Sequence, residues 1–550
     1  VPDLILGPVL RYVGETEATV WVETDAPCEI DVLDHRACTF CIEGHHYAIV
    51  SVGQLEPGEA YEYQVALDGE PRWPQAGSAF PPSVIRTIDP NGPLKLVFGS
   101  CRVAVPHELP YTLTRDEHDC GREIDALYAL ARRMRQTPRE NWPQLLLCLG
   151  DQVYVDEDSP QARRFIRSRR DTSRPPGEEV ADFEEYTRLY WESWGDPTIR
   201  WLFSTVSTAM IFDDHDVHDD WNTSLAWLEE MREQPWWEKR IESALMSYWI
   251  YQHLGNLSPA ELEEQELLSR VREAGKPGDA GGILRKFAAD ADHSVDGSRW
   301  SYSRKLGRVK LVVFDSREGR VLDELPRKIV DDKEWDWIDE QATGDVDHLL
   351  LVDTLPFLLA PALHHAESWS EAICGGAWGK RFARFGEKLR RTLDFEHWAA
   401  FGDSFQRMAN LTREVGAGHR GGPPASIVFL AGDVHHAYLA EVAFRREAGV
   451  KSAVYQAVCS PFRNALDRHE RLIVRAATSP ELGRTVRALA RAAGVGESGL
   501  RWQLVEQPTF DNQFATLEIH HRSATLRIEK ILPGDWRNPR IETSLERRLA

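Results

Sequence analysis

The chain has no apolar run approaching the roughly 20 residues that a membrane-spanning helix requires, and it has no internal repeat and no low-complexity tail. Its opening, VPDLILGPVLRYVGE, lacks the charged start, apolar middle and small-residue cleavage site of a signal peptide. That predicts a cytoplasmic protein unless a leader has been removed. Cationic charge is scarce: 65 Lys+Arg stand against 87 Asp+Glu, a formal charge of −22, which argues against binding nucleic acid or anionic lipid by long-range attraction. Cysteine is sparse too. The eight cysteines are scattered, and some lie inside apolar runs, as Cys148 does in LLLCLGD, so no disulfide framework is expected. Cys38 and Cys41 form a CxxC near Cys28, His35, His45 and His46, which invites a zinc reading, but no matched second pair follows and ordinary strand residues are the expectation.

With 550 residues the chain exceeds what one hydrophobic core usually organises, and two units are expected. Residues 1–90 alternate like short antiparallel strands (ATVWVETD, CEIDVLD, HYAIVSV, YEYQVALDG) and predict a small β-sandwich. The Pro-rich segment PRWPQAGSAFPPSVIRTIDPNGP reads as the link to a second unit, 91–550, whose first buried strand begins near Leu94. There strands alternate with helical stretches, the signature of a largely parallel α/β sheet. EIDALYALARRMRQ has helical spacing, PWWEKRIESALMSYWIYQHLG and SPAELEEQELLSRVRE read as two helices of a lid or insertion near 223–300, and DFEHWAAFGDSFQRMANLTREV reads as one helix. FATLEIHHRSATLRIEKIL alternates like a hairpin. VKLVVFDSR and HLLLVDTLPF place Asp315 and Asp353 at further strand ends.

Four apolar runs each stop on side chains that bind metal: LKLVFGSC at Cys101, LLLCLGD at Asp151, TAMIFDD at Asp213 and Asp214, and SIVFLAGDVHH at Asp433 and His435. Such runs read as strands buried on both faces, and open α/β sheets place their chemistry beyond the carboxyl ends of those strands. The ligand types are therefore expected to meet in space. In GDQVY the Asp151 oxygens can bridge two cations, with a capping Asp as the bland alternative. FDDHDVHDDWN packs carboxylates that repel one another unless cations offset them, although its outer members, Asp216, Asp219 and Asp220, also suit a solvated loop. Asp433 and His435 at i,i+2 point the same way if strand geometry persists, and His436 then faces elsewhere. Cys101 lacks the glycine-rich anion cradle of a phosphate-attacking cysteine, which leaves a thiolate ligand or an inert buried thiol. Arg102 beside it could clamp an anion, or lie at the surface.

At these residues the chain resembles the calcineurin-like metallophosphoesterases, and more narrowly the alkaline phosphatase D (PhoD-like) family. Its motifs stand here as Gly99-Ser100-Cys101, Gly150-Asp151 with Tyr154, Asp213-Asp214-His215-Asp216 with Trp221-Asn222, and Gly432-Asp433 with His435. Asp216 takes the place of the usual Glu. The resemblance implies a four-layer α/β/β/α phosphoesterase behind a small all-β fibronectin-type domain. It further implies a multinuclear centre in which Cys101, Asp151 and Tyr154 bind ferric iron and Asp214, Asp433 and His435 complete the cluster, with calcium or another divalent ion alongside. His215 takes the position of the catalytic histidine, and Asn222 that of a ligand or phosphate contact.

The expected activity is metal-assisted hydrolysis of a small phosphate ester, with His215 protonating the leaving oxygen and Arg102 or Arg317 holding the non-bridging oxygens. Rival readings keep the site but take a phosphodiester, nucleotide or polyphosphate, or make the chain a non-catalytic interaction protein with a structural metal. A non-haem iron oxidase would need a His-rich facial site that these motifs do not supply.

Overall fold

The computed structural model describes residues 2–157, 159–294, 298–323 and 326–550; residue 1 of the amino-terminal unit and 295–297 of the expected insertion lie outside them. The amino-terminal unit is all-β. One sheet runs Leu4–Val13, Ala18–Thr24, His45–Val52, Phe40–Ile42, and the other runs His35–Cys38, Glu29–Val32, Val65–Leu67, Glu70–Trp73. Alternate β-branched residues face inward, and Val20, Val22, Ile30, Val32, Val50 and Val65 share one core. The Pro-rich segment is less a link than its composition suggests, because Val84–Arg86 still pairs with Ala60–Glu62.

Two mixed sheets build the rest. The first has the order Ser207–Ile211, Leu145–Leu149, Leu94–Gly99, Gln513–His520, Ser523–Leu532, Arg540–Arg548; its first three strands are parallel and the expected carboxy-terminal hairpin extends it antiparallel. The second has the order Tyr302–Leu306, Val309–Val313, His348–Val352, Ser426–Ala431, Ala453–Val458, Tyr438–Phe444, Leu500–Leu504, parallel through its middle. The period of two along these strands sorts the layers. In His348–Val352, Leu350 and Val352 join the core shared with the first sheet, while Leu349 and Leu351 join a separate core with Trp335, Ile338, Phe405 and Met408 of the helices outside. The result is the α/β/β/α stack, with all four ligand-bearing strands pointing their carboxyl ends at one crevice.

Local chemistry explains the helix boundaries. Asp125 caps Ala126–Met134 through the backbone N–H groups of Leu127 and Tyr128. Ser258 and Glu261 form a reciprocal capping box on Pro259–Glu264. The long helix expected over DFEHWAAFGDSFQRMANLTREV is shorter: it covers Gly402–Ala417, and Phe395–His397 upstream is irregular. The Trp236–Glu273 stretch forms no lid. Tyr248–His253, a wide π-type turn after Trp237–Ser247, is buried throughout and wedges between the sandwich and the first sheet. There the Tyr251 hydroxyl donates to Glu23 Oε2 at 3.0 Å and lies 3.1 Å from that of Tyr47. Arg11, fully buried, donates to Thr208 Oγ1 at 3.1 Å, while the Thr208 and Ser207 hydroxyls return bonds to the Leu10 and Arg11 carbonyls. No helix among the described residues is long and apolar enough to cross a membrane.

His45 ties the two units through its ring nitrogens, each 2.9 Å from a carboxylate, Glu23 on the sandwich and Glu184 on the helix Phe183–Trp194. Burial opposes its charge, but the two carboxylates outweigh that and raise its pKa to about 9. A raised folded pKa stabilises fully below the unfolded value of about 6.5 and loses that effect as pH climbs through the folded one. The thermal midpoint of the protein should therefore exceed that of His45→Gln most below about pH 6.5, and the gap should close as pH passes about 9. A gap that stays constant across that range would contradict this role.

Candidate metal centre

Strand endings put the expected ligands together through a shared backbone habit. Cys101 (φ 58°), Asp151 (φ 52°), Asp433 (φ 65°) and His435 (φ 52°) follow their strands in left-handed conformations, and Asp220 (φ 65°) and Asn222 (φ 60°), in the loop after Asp216, share that conformation. A non-glycine residue there costs on the order of 1 kcal/mol or more, and such strain gathers at functional sites. Two glycines let the turns approach. A Cβ on Gly150 would lie 2.5 Å from that of Asp213, and one on Gly432 would lie 2.3 Å from Ser100 Oγ. Ser100 Oγ instead accepts the Asp433 N–H at 2.9 Å, which stitches the first strand end to the last.

Ligand atoms of Cys101, Asp151 and His435 lie within 4.8 Å of one another, and so do those of Asp151, Asp213 and Asp214. Asp151 belongs to both groups, as a bridging carboxylate must. A third such group joins Asp214, His215 and Asp219. The Tyr154 hydroxyl donates to Asp151 Oδ2 at 3.2 Å. Asp216 is structural: it accepts the backbone N–H groups of Asp151, Val153 and Asp213 at 3.0, 3.3 and 2.9 Å and so holds two motifs in register.

The electrostatics call for cations. Burial raises the pKa of Asp151 and Asp213 well above the ordinary carboxylate range, and that of Asp220 to about 9. Burial likewise pushes the Cys101 thiol up. Loss of solvation holds the half-buried His435 down to about 4, neutral at pH 7, which leaves a ring lone pair for a ligand. Asp151 Oδ1, Asp213 Oδ2, Asp214 Oδ1 and Asn222 Oδ1 are buried acceptors with no hydrogen-bond donor. An acceptor left so costs about 1–3 kcal/mol, more when charged. Oxygen acceptors beside a thiol, a phenol and an imidazole form a donor set that fits a mixed cluster of a softer and a harder ion.

His215 stands beside this cluster with its Nδ1 2.9 Å from Asp156 Oδ1 and its ring stacked on Tyr154 at 4.5 Å. Burial would discharge it, but Asp156 and Asp214 outweigh burial and hold it protonated. Asp156 is correspondingly acidic: burial opposes its charge, and His215 overrides this to bring it to about 2.

Two expected substrate contacts sit elsewhere. Arg102 faces away from the carboxylates, with Nε on Asp125 Oδ2 at 2.7 Å and Nη1 on the Ser193 carbonyl at 2.6 Å. Arg317 reaches the cluster but from behind, fully buried, with Nε and Nη1 each 2.5 Å from Asp213 Oδ1 and Glu396 Oε2, and Nη2 3.4 Å from Asp214 and 3.7 Å from Asp433. It screens four carboxylates and, fully buried, presents no exposed atom to a substrate. The Asn222 amide N–H donates to the Arg317 carbonyl at 3.0 Å, and its buried oxygen has no hydrogen-bond partner. The CxxC gathers nothing: Cys38 is exposed, Cys41 sits 3.5 Å from Asp279, and neither joins a metal-ligand group among the described residues.

Several partners were not expected from the sequence. His397 links Glu367 Oε1 at 2.8 Å to Asp433 Oδ2 at 3.1 Å. Asn464 donates to the Tyr154 hydroxyl at 3.4 Å and accepts from Arg115 Nη2 at 2.6 Å. The run Asp394, Glu396 and His397 ahead of an apolar AAF was a usable signal, hidden inside an apparent helix.

If repulsion among these carboxylates is what a cation relieves, Asp214→Asn should raise the thermal midpoint of chelator-treated protein by several degrees. It should also shrink the further rise seen on adding metal by more than half. A midpoint indifferent to metal in both proteins would contradict the reading.

Residues 1–85 match the family model described as a domain of unknown function (DUF7800), and residues 120–276 match that of the PhoD-like phosphatases. A comparison with curated proteins gives no match. Among solved structures, the one titled "Structure of PhoD" is similar over 100% of this chain and 92% of that one, at 12% identity and a TM-score of 0.60. The purple acid phosphatase PPD1 from yellow lupin (Lupinus luteus) seeds aligns over 96% and 71% at 10% identity, with a TM-score of 0.47. The whole chain thus carries the fold of PhoD, and its segment 120–276, with Asp151, Tyr154, Asp214, His215 and Asn222, matches the PhoD-like phosphatase family model.

Proposed function

We propose that the protein is a metal-dependent hydrolase of small phosphate esters. The observation that carries this reading is the set of orphaned buried oxygens on Asp151, Asp213, Asp214 and Asn222, gathered beside Cys101, Tyr154 and His435. Cys101, Asp151, Tyr154 and His435 would hold one ion, for which the family resemblance points to iron. Asp151, Asp214, Asn222 and Asp433 would hold calcium or another divalent ion. Bound there, such cations would supply a water that ionises near neutral pH and would screen the charge of the phosphate.

The chain's own residues do the rest. Asp156 occupies His215 Nδ1, so Nε2, with only Asp219 Oδ1 nearby at 3.8 Å, is the atom that passes its proton to the leaving oxygen. Tyr154 stacks on the ring and keeps it from swinging away. Arg115 replaces Arg102 and Arg317 as the anion clamp: it is 38% exposed, anchored to Asn464, and near enough for its charge to lower the pKa of His435. The sandwich order Leu4–Val13, Ala18–Thr24, His45–Val52 facing His35–Cys38, Glu29–Val32, Val65–Leu67, Glu70–Trp73 supports a fibronectin type III-like amino-terminal domain.

A panel of p-nitrophenyl phosphate, its bis-ester, nucleotides and polyphosphate tests the activity and ranks the substrate class. His215→Ala should lower kcat by about 100-fold or more with metal content retained, and Arg115→Ala should raise KM several-fold while kcat changes little. Full turnover in His215→Ala would remove the histidine from the mechanism. Undetectable hydrolysis of every ester by fully metal-loaded protein would favour a non-catalytic interaction protein.

A further inference from the structure

A cavity of about 810 Å³ lies apart from the metal-ligand cluster, and none of Cys101, Asp151, Asp214, Asp433 or His435 lines it. We infer that it binds an amphiphilic organic anion, with the anionic head held by arginines and a hydrocarbon body laid against aromatic rings. Two helices build its walls. Pro361–Cys374 contributes His364, Ser368 and Glu371 at i, i+4 and i+7, and Pro480–Ala492 contributes Arg484, Arg487 and Arg491 at i, i+3 and i+7. Gly483 brings the helices close, since a Cβ there would sit 3.3 Å from Pro361 Cβ, and the arginines then project past the contact.

Charge at this place runs against the rest of the chain. On a protein of formal charge −22, six arginines line the cavity against three carboxylates. Arg445, Arg487 and Arg491 all turn to the one carboxylate of Glu497, the first two at 3.2 and 3.3 Å. One anion among three guanidiniums leaves an excess of positive charge that a second anion would satisfy. His364 adds an independent sign. It is 5% exposed, its Nδ1 has no hydrogen-bond partner, and its ring is held between Phe405 at 4.8 Å and Trp502 at 4.6 Å.

Size decides the rest of the ligand. Small-molecule sites run from about 300 to 1,000 Å³, and an inorganic ion would leave most of this one empty. Phe405, Leu500, Trp502 and Ala490 give the apolar wall that a hydrocarbon body needs. The proposal is independent of the phosphoesterase reading, because no residue of the catalytic proposal takes part in it.

Calorimetric titration of the full-length chain with laurate tests this, with dodecyltrimethylammonium and inorganic phosphate as the comparison probes. Laurate should saturate one site per chain, and the cationic amphiphile of the same length should not. Arg487→Gln/Arg491→Gln should weaken laurate by at least about tenfold, a loss of about 1.4 kcal/mol. Ala372→Trp, which fills the cavity and leaves every arginine in place, should also abolish saturation, and it decides the matter if the double variant does not fold. Laurate that fails to saturate, or that binds both folded variants as it does the parent, overturns the proposal. Equal binding of the cationic amphiphile overturns the arginine head site. Displacement of laurate by inorganic phosphate alone overturns the amphiphile and leaves a free-anion site.

Discussion

Asp151, Asp213, Asp214 and Asp433 end buried strands in one crevice, and the repulsion among them is the constraint around which the site is arranged. Two like charges about 4 Å apart repel by roughly 4 kcal/mol at an effective dielectric near 20. The protein answers part of this with its own cations. Arg317 spreads over Asp213, Asp214 and Glu396 from behind, and His397 sits on Asp433. These few cations cannot neutralise so many carboxylates, and Asp151 Oδ1, Asp213 Oδ2 and Asp214 Oδ1 still lack a hydrogen-bond donor, the last with only Arg317 Nη2 at 3.4 Å. A metal cluster completes an arrangement that is otherwise unbalanced.

The fold serves that arrangement from a distance. Continuous apolar strands bring the carboxylates to the edge, left-handed turns aim them, and Asp216 fixes two of the motifs with three backbone hydrogen bonds. The sandwich and the buried π-type turn brace the outer edge of the first sheet through Arg11, Tyr251 and His45, so the amino-terminal unit is built into the frame of the site and does not hang from a tether.

Much of this was legible in the sequence because parallel strands buried on both faces leave an unmistakable trace: four apolar runs that stop on Cys, Asp or His. Their topology then made convergence a geometric necessity. Arg102 misled because adjacency to Cys101 suggested a shared direction, whereas the chain turns left-handed at Cys101 and Asp125 and Ser193 hold the guanidinium elsewhere. Arg317 was placed in the right neighbourhood with the wrong task, since nothing in FDSRE reveals that four carboxylates already surround its guanidinium. Glu396 and His397 stayed hidden within a stretch whose spacing reads as helix, although the helix starts only at Gly402. Tertiary packing, not local pattern, recruits them. The segment after Trp236 was expected as a lid or an insertion; its large aromatic residues recur on every side of the chain, and Tyr248–His253 is buried throughout.

Anomalous diffraction from crystals of the protein as purified tests the central claim most directly. The account predicts a strong peak within about 2.5 Å of Cys101 Sγ, an Asp151 oxygen and a His435 ring nitrogen, with a second peak between Asp151 and Asp214. A map with no density at either place, and with the carboxylates of Asp151 and Asp214 bonded only to protein and water, would contradict it.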